Sequence, residues 1–436
     1  MNKHDTIFAL ATPPGKSGVA VIRISGPEAI KVAQLFSEQK SPIPLRAYVT
    51  SIFTAEGEKL DKAVMIYFKA PKSFTGEDII ELQIHGSIAI IKALLQELSN
   101  IEKFRYATAG EFAKRAFLNG KLDLTQAEGL EDLINSTSRI QLKQAMQHLD
   151  GHFKKQIELW RTKLIEIIAI TEAMIDFPDE DIPESVFMDV EDKTRDLIQQ
   201  VQKILQDDRG ITIRNGIYVT ISGKPNAGKS SLINYLAKRD VSIVSDIPGT
   251  TRDIVEAHVD IKGLPVIFAD TAGLRETKDE IESIGVDRAR KAIEKAALNI
   301  HLIDISDLED FTLLQKNISK NDLVVVNKID KTETAIEKYL SISVKKELNI
   351  DRLLDELYNR LIHFNIPDSS LLTARERHNE HLKQTIYYLE QALINEDLVL
   401  AAEDMRLAKR EFEEICGLVD VEEILGKIFS SFCIGK

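Results

Sequence analysis

Gly223-Lys224-Pro225-Asn226-Ala227-Gly228-Lys229-Ser230 has the residue types and spacing of a phosphate cradle. It follows the apolar run from Ile217 to Ile221 and opens Ser231-Leu232-Ile233-Asn234-Tyr235-Leu236, which predicts a strand, a glycine-rich turn and a helix N-terminus. Backbone N–H groups converge at such a turn, and the helix dipole favours an anion there. Gly223 and Gly228 allow close backbone approach, Lys229 reaches the β- and γ-phosphates, and the Ser230 hydroxyl suits Mg²⁺.

Such a loop specifies a nucleoside triphosphate without choosing the base. Asp270-Thr271-Ala272-Gly273 ends a second apolar run, so Asp270 is expected at a strand end, holding Mg²⁺ through water, with the Gly273 N–H turned to the γ-phosphate. Asp322 to Val326 reads as a strand running into Asn327-Lys328-Ile329-Asp330. The Asp330 carboxylate accepts from both N1–H and the 2-amino group of guanine, whereas adenine offers neither donor. Ser341-Ile342-Ser343-Val344-Lys345 follows a further short strand and is expected to support guanine O6 by a backbone N–H, with Ser343, Val344 and Lys345 beside the base. In this order, on alternating strands and helices, the four segments predict a Ras-like guanine-nucleotide domain.

Ser245-Asp246-Ile247-Pro248-Gly249-Thr250-Thr251-Arg252-Asp253 occupies the place of switch I, where Thr251 offers a hydroxyl to Mg²⁺ and a backbone N–H to the γ-phosphate. Many Ras-like enzymes orient the attacking water with a glutamine just after Asp-x-x-Gly; here that residue is Leu274, which neither donates nor accepts. Glu276, Asp279, Glu280 and Glu282 are the candidates in its stead. Arg252 and Arg275 are open to two readings, fingers in cis or plain surface residues. So is Asn226: it is either a turn residue or, with switch I carbonyls, a ligand of a monovalent cation that supplies the charge of a missing arginine finger.

At 436 residues the chain holds two to four domains of roughly 100–200 residues each. Its net charge of −13 disfavours a protein whose whole surface coats nucleic acid, so any RNA contact is a local patch or is shared with a partner. The two cysteines, Cys416 and Cys433, have no paired spacing, which suits a reducing cytoplasm and argues against zinc. Met1 to Asp5 predicts neither a signal nor a transit peptide, and no stretch approaches a membrane span.

The multidomain reading is α/β plus all-α. Residues 1–118 form a compact α/β domain, with strands at Thr6–Thr12, Gly18–Ser25 and Ile79–Gly86. Arg23 and Glu81 alternate out of two of these strands, each either an ion-paired or solvent-facing strand residue or a ligand contact. Asn119-Gly120 marks a helix end. Phe153, Ile157, Trp160, Leu164, Ile167 and Ile168 then recur at helical spacing and predict bundle core. Phe177 to Glu184 predicts a solvated loop, and a further helix runs from about Val190 to Gln206. Helices resume after a linker at Phe364–Asp368, so residues 211–364 are expected as a guanine-nucleotide domain inserted into one helical domain made of residues 119–210 and 365–436. The closing Phe432 to Lys436 is expected to be a frayed tail, with Cys433 a candidate nucleophile.

The phosphate loop extended to Leu232, Gly249-Thr-Thr-Arg-Asp253, Asp270-Thr-Ala-Gly-Leu-Arg-Glu276, Ala11-Thr-Pro-Pro-Gly15, Thr75-Gly-Glu-Asp78 and the terminal Cys433-Ile-Gly-Lys436 together closely resemble the bacterial tRNA modification GTPase family MnmE, also called TrmE. The resemblance covers essentially the whole chain. It implies a cytoplasmic homodimer that acts with the flavoprotein MnmG (GidA) in a heterotetramer to place a carboxymethylaminomethyl-type group on C5 of the tRNA wobble uridine. It also implies a tetrahydrofolate donor, in a 5-formyl or 5,10-methylene form, bound by an N-terminal dimerisation domain at positions matching Arg23, Glu81, Lys121 and Lys436. K⁺ would be held by Asn226, Ser245, Ile247 and Thr250 as the nucleotide domains meet, and Glu282 matches the water-orienting glutamate. Pro248 departs from the small residue expected there and stiffens switch I. Two other readings compete. A ribosome-assembly GTPase needs an RNA-binding accessory domain, of which no Gly-x-x-Gly loop or basic surface gives a sign; a slow regulatory switch is compatible with Leu274.

Overall fold

A computed structural model describes residues 5–177, 183–239, 256–270, 296–307, 322–332, 338–364, 373–419, 422–430, 432 and 434–435. In chain order the elements are β1 (Thr6–Leu10), β2 (Ser17–Ser25), α1 (Lys31–Phe36), β3 (Ala47–Phe53), β4 (Lys59–Phe68), β5 (Ile79–Gly86), α2 (Ile88–Ser99), β6 (Phe104–Tyr106), α3 (Glu111–Leu118), α4 (Leu124–Asn135), α5 (Arg139–Leu149), α6 (His152–Asp176), α7 (Glu184–Leu205) and α8 (Arg209–Asn215). They continue with β7 (Ile217–Ser222), α9 (Lys229–Arg239), β8 (Glu256–Ile261), β9 (Leu264–Asp270), β10 (Leu298–Asp304), β11 (Leu323–Asn327), β12 (Leu340–Ser341), α10 (Ile350–Leu361), α11 (Glu376–Ile394), α12 (Leu398–Cys416) and α13 (Glu422–Ser430). Residues 1–131, 148–181 and 394–436 make one compact unit, and residues 132–147 and 182–393 make another.

In the first unit the sheet order is β3-β4-β5-β2-β1-β6, antiparallel except for the β1–β6 pair. Period two sends Ala20, Ile22 and Ile24 of β2, and Ile80, Leu82 and Ile84 of β5, into a core shared with Val32 of α1 and Leu94 of α2. The alternate residues, Arg23 and Glu81 among them, lie on the opposite face. In the same unit, α6 presents Phe153, Ile157, Trp160, Leu164 and Ile167 as a buried stripe, and Trp160 packs its ring 5.8 Å from that of Phe412 on α12. The stripe is therefore bundle core.

In the second unit the sheet order is β12-β11-β10-β7-β9-β8, parallel except for the β8–β9 hairpin. β7 lies where the strand order reverses, and ligands of such sheets bind outside the carboxyl ends of strands at that point. Gly223 follows the end of β7, Asp270 and Asp304 close β9 and β10, and Asn327 closes β11. This is the Ras-like arrangement the motifs predicted. Its core also takes in Ile140 of α5 and Ile213 of α8.

Gln141 explains how α5 is fixed to this unit. Its Oε1 accepts from the Ser138 N–H at 3.2 Å while Ser138 Oγ accepts from the Gln141 N–H at 3.3 Å, a reciprocal capping box at the start of α5. Its Nε2 donates to the carbonyls of Ile213 and Arg214 at 3.0 and 3.2 Å. Both lie in the last turn of α8, where Ile213 O also accepts from the Gly216 N–H at 3.3 Å, so one amide caps two helices. The Ile140 N–H donates to Gly263 O in the β8–β9 turn at 3.3 Å, and Asp132 accepts from Arg214 and Arg375, each at 2.8 Å.

Two expectations change. α7 begins at Glu184, well before Val190, because Pro183 supplies an extended residue whose carbonyl accepts from the Val186 N–H at 2.9 Å and starts the turn. The tail is docked at its described residues rather than frayed: Ile434 bridges Ala109, and Gly435 packs so tightly that a Cβ would lie 2.3 Å from Leu10 O. Of the Phe177–Glu184 loop and the Phe364–Asp368 linker, residues 178–182 and 365–368 lie outside the described residues.

Candidate functional site

The phosphate loop is built by close approach of its glycines to neighbouring strands. A Cβ on Gly223 would sit 2.1 Å from Leu302 O, and one on Gly228 would sit 2.4 Å from Asn327 Nδ2. Both have positive φ, so only glycine satisfies the fold and the contact together. Lys229 begins α9, is 8% exposed, and donates from Nζ to Gly223 O at 2.9 Å and Lys224 O at 3.2 Å. Ser230 and Ser231 follow it, exposed, at the start of the helix.

Asn327 ties three loops together. Its Nδ2 donates to Ala227 O at 2.8 Å, and its Oδ1 accepts from the N–H groups of Lys328 at 2.8 Å and Val344 at 3.2 Å. Lys328, left-handed at φ 67°, donates from Nζ to Asn226 O at 2.5 Å and to Asp304 Oδ2 at 2.6 Å. Successive side chains of the base-reading motif thus hold successive carbonyls of the phosphate loop. Because a peptide is planar and trans, fixing Ala227 O turns the Gly228 N–H the opposite way.

Asp330 is exposed on the turn after Lys328, and its Oδ1 accepts from the buried Ser343 hydroxyl at 2.5 Å. That bond lowers the carboxyl from its ordinary value; desolvation opposes it, and Lys345 and Lys346 assist. Asp330 therefore faces the solvent ionised, as reading guanine N1–H and the 2-amino group requires. The Val344 N–H, one candidate donor to O6, is already given to Asn327.

The structure thus brings together Asn226, Ala227, Gly228, Lys229, Asn327, Lys328, Asp330, Ser343 and Val344, with Lys345 next in chain. Ser245, Asp246, Ile247, Pro248, Gly249, Thr250, Thr251, Thr271, Ala272, Gly273, Glu282, Cys433 and Lys436 lie outside the described residues, as does the side chain of Asp270. Sequence reasoning missed Asp304. Its signal was an acid closing the alternating run Leu298-Asn-Ile-His-Leu-Ile303, at the carboxyl end of a parallel strand.

On the open face of the first sheet, register sets Arg23 opposite Glu81, and Arg23 Nε donates to Glu81 Oε1 at 2.8 Å. The two are 22% and 17% exposed, and the Arg23 guanidinium lies 5.5 Å from the Phe74 ring centroid and 5.8 Å from that of Phe112. Lys121 Nζ donates to Pro71 O at 3.0 Å, and its Cγ would lie 3.3 Å from a Cβ on Gly76. Arg23 and Lys121 are thus both held against the turn of residues 71–76. That turn is fastened from within. Thr75 and Glu77 meet the Ser25 hydroxyl at 2.7 and 2.8 Å, Asn119 Nδ2 donates to Thr75 O at 2.7 Å, and Arg115 donates to both Glu77 oxygens at 3.0 and 3.1 Å.

Behind Arg115 lies Glu111, 1% exposed, which accepts from Arg105 at 2.6 and 2.9 Å, from Arg115 at 3.2 Å and from Thr108. Burial pushes its carboxyl up, but the Arg105 bonds, the Thr108 N–H and the two guanidinium charges outweigh it and bring it down to about 2.

Comparison with known proteins bears on both regions. Residues 6–121 match the family model described as GTP-binding protein TrmE N-terminus, and residues 124–433 match the one described as MnmE helical domain. A tRNA modification GTPase MnmE of Rickettsia bellii is 45% identical over 99% of this chain and 100% of its own length. One of Rickettsia prowazekii is 44% identical with the same coverage. A solved FeoB G-domain from Methanococcus jannaschii is 22% identical over 34% of this chain and 98% of its own, at a TM-score of 0.26.

Proposed function

The chain belongs to the tRNA modification GTPase MnmE family, and from that premise we propose that it is a GTP hydrolase whose turnover drives C5 modification of the tRNA wobble uridine. The observation that carries the nucleotide half is the interlock of Asn327 and Lys328 with the phosphate loop, beside an Asp330 oriented by Ser343. In this reading residues 211–364 are the nucleotide domain, inserted between helical segments 119–210 and 365–436, and residues 1–118 bind folate and dimerise. The flavoprotein MnmG and tRNA are the partners, and the cytoplasm the compartment. No helix among the described residues is long and apolar enough to cross a membrane.

Ser230 and Thr251 would hold Mg²⁺ and Asn226, with Ser245, Ile247 and Thr250, K⁺. Asn226 fits, because its left-handed backbone is pinned by Lys328 and its side-chain amide makes no hydrogen bond to the described residues. When bound, the cations neutralise charge developing on the phosphates. Glu282 would orient water, Thr251 would order the γ-phosphate, and Asp270 would hold Mg²⁺ through water. Arg23, Glu81, Lys121 and Lys436 suit a tetrahydrofolate, in 5-formyl or 5,10-methylene form, since two cations and a carboxylate complement a glutamate-tailed pterin, and Cys433 is the candidate nucleophile.

Initial hydrolysis rates in KCl against matched NaCl test the cation. The expected result is an increase of about tenfold or more in KCl without added activator; equal slow rates in both salts would favour the regulatory switch. Calorimetric titration with 5-formyl-tetrahydrofolate tests the donor. Binding that Arg23→Ala weakens about tenfold is expected, as for a lost charge-assisted contact, and no heat of binding with the wild-type chain would remove the folate assignment.

A further inference from the structure

Asp304 closes β10 and belongs to none of the nucleotide-binding motifs, yet its carboxylate is 11% exposed and fully engaged at the back of the phosphate loop. Oδ2 accepts from Lys328 Nζ at 2.6 Å, with Lys331 Nζ at 3.7 Å, and Oδ1 accepts from the Ser306 N–H at 3.2 Å. Burial pushes the carboxyl up, but the Lys328 bond and the Ser306 contacts more than offset it, so the group stays ionised. The same Lys328 ammonium donates to Asn226 O at 2.5 Å, and Asn226 is held left-handed at φ 66°.

We propose that Asp304 is a positioning residue for GTP hydrolysis: by fixing the Lys328 ammonium against the Asn226 carbonyl, it sets the backbone of Asn226 and so aims the side chain that ligates the monovalent cation. Lysine is a flexible point charge with three rotatable donors, so a single carbonyl does not fix its place. A charged acceptor opposite the loop does. Asparagine visits the left-handed region readily but is not confined to it. Losing the clamp therefore frees the Asn226 peptide to rotate, which disperses the amide among orientations that do not converge on the cation. Asp304 touches neither nucleotide nor cation in this scheme. Its part in cation binding rests on the potassium reading above, whereas its part in holding the phosphate loop does not.

The discriminating variant is Asp304→Asn, which keeps the shape and removes the charge. Two quantities are read on the full chain: the KCl concentration giving half-maximal hydrolysis, and the dissociation rate of a fluorescent GDP analogue in NaCl. The expected result is a several-fold rise in the half-maximal KCl concentration, with the maximal rate regained at high KCl, and dissociation faster by about tenfold. A role confined to stability would leave that split absent and lower the melting temperature instead. Should the wild-type rate prove indifferent to K⁺, the potassium reading fails and the dissociation rate alone decides whether Asp304 holds the loop. An unchanged dissociation rate together with an unchanged KCl dependence overturns the proposal.

Discussion

Asp330→Asn is expected to weaken GTP binding on the order of a hundredfold and to move the preference to xanthosine triphosphate. Ser343 is buried, so its hydroxyl bond to Asp330 Oδ1 survives in either variant and keeps the side chain in place. What changes is the remaining edge. A carboxylate receives N1–H and the 2-amino group, whereas an asparagine amide brings its own N–H against one of them. Xanthine carries a carbonyl where guanine carries the 2-amino group, so the same amide finds an acceptor. Asp330 is exposed, so the melting temperature should stay within a degree or two while competition between the two triphosphates inverts. Undiminished GTP affinity would move base recognition elsewhere.

Glu111→Ala is expected to cost about 3 kcal/mol in the first sheet, because Arg105 keeps Asp5 and Arg115 keeps Glu77 but both lose the buried carboxylate they share. The effect has a pH signature. Glu111 is brought from the ordinary 4.5 to about 2 in the folded chain. A group lowered on folding contributes fully above its unfolded value and loses that contribution as pH falls towards the folded one, so the wild type should shed about 3 kcal/mol between about pH 4.5 and 2. The variant should lack that part of the acid limb. Hydrogen-exchange protection of β5 and α3 amides, measured at pH 7 and near pH 3.5, reads both effects locally in the full chain. Equal protection in wild type and variant at pH 7 would show that the guanidinium groups find other partners.

Much of the fold was legible because its signals are local. The alternation Ala20-Val21-Ile22-Arg23-Ile24 fixes which face of β2 is core, and glycines at 223 and 228 announce a turn that only they satisfy. Asn327 and Asp330 were legible because four residues carry the chemistry of the base. What escaped depends on partners distant in sequence. Asp304 looks like any strand-end acid until Lys328, 24 residues on, turns back to it. Glu111 and Arg115 are an i,i+4 pair on α3, and nothing in that spacing shows Glu77 lying 38 residues upstream of Arg115 against it. The tail looked free because Ala109 and Leu10 are hundreds of residues from Ile434 and Gly435.

The double cap made by Gln141 bears on how this protein can be dissected and on the order in which it is finished during synthesis. A fragment of residues 211–364 would start inside α8, with the carbonyls of Ile213 and Arg214 deprived of the Gln141 amide and the place of Ile140 in the core left open. The smallest autonomous nucleotide-binding piece should therefore be discontinuous, carrying residues 132–147 along with the rest of its unit. On the ribosome that short stretch emerges well before Gly210, Ile213 and Gly263, the residues that complete its hydrogen bonds. It must wait, half satisfied, for partners that have not yet been made, so this unit cannot close from its first residues onward as they are synthesised.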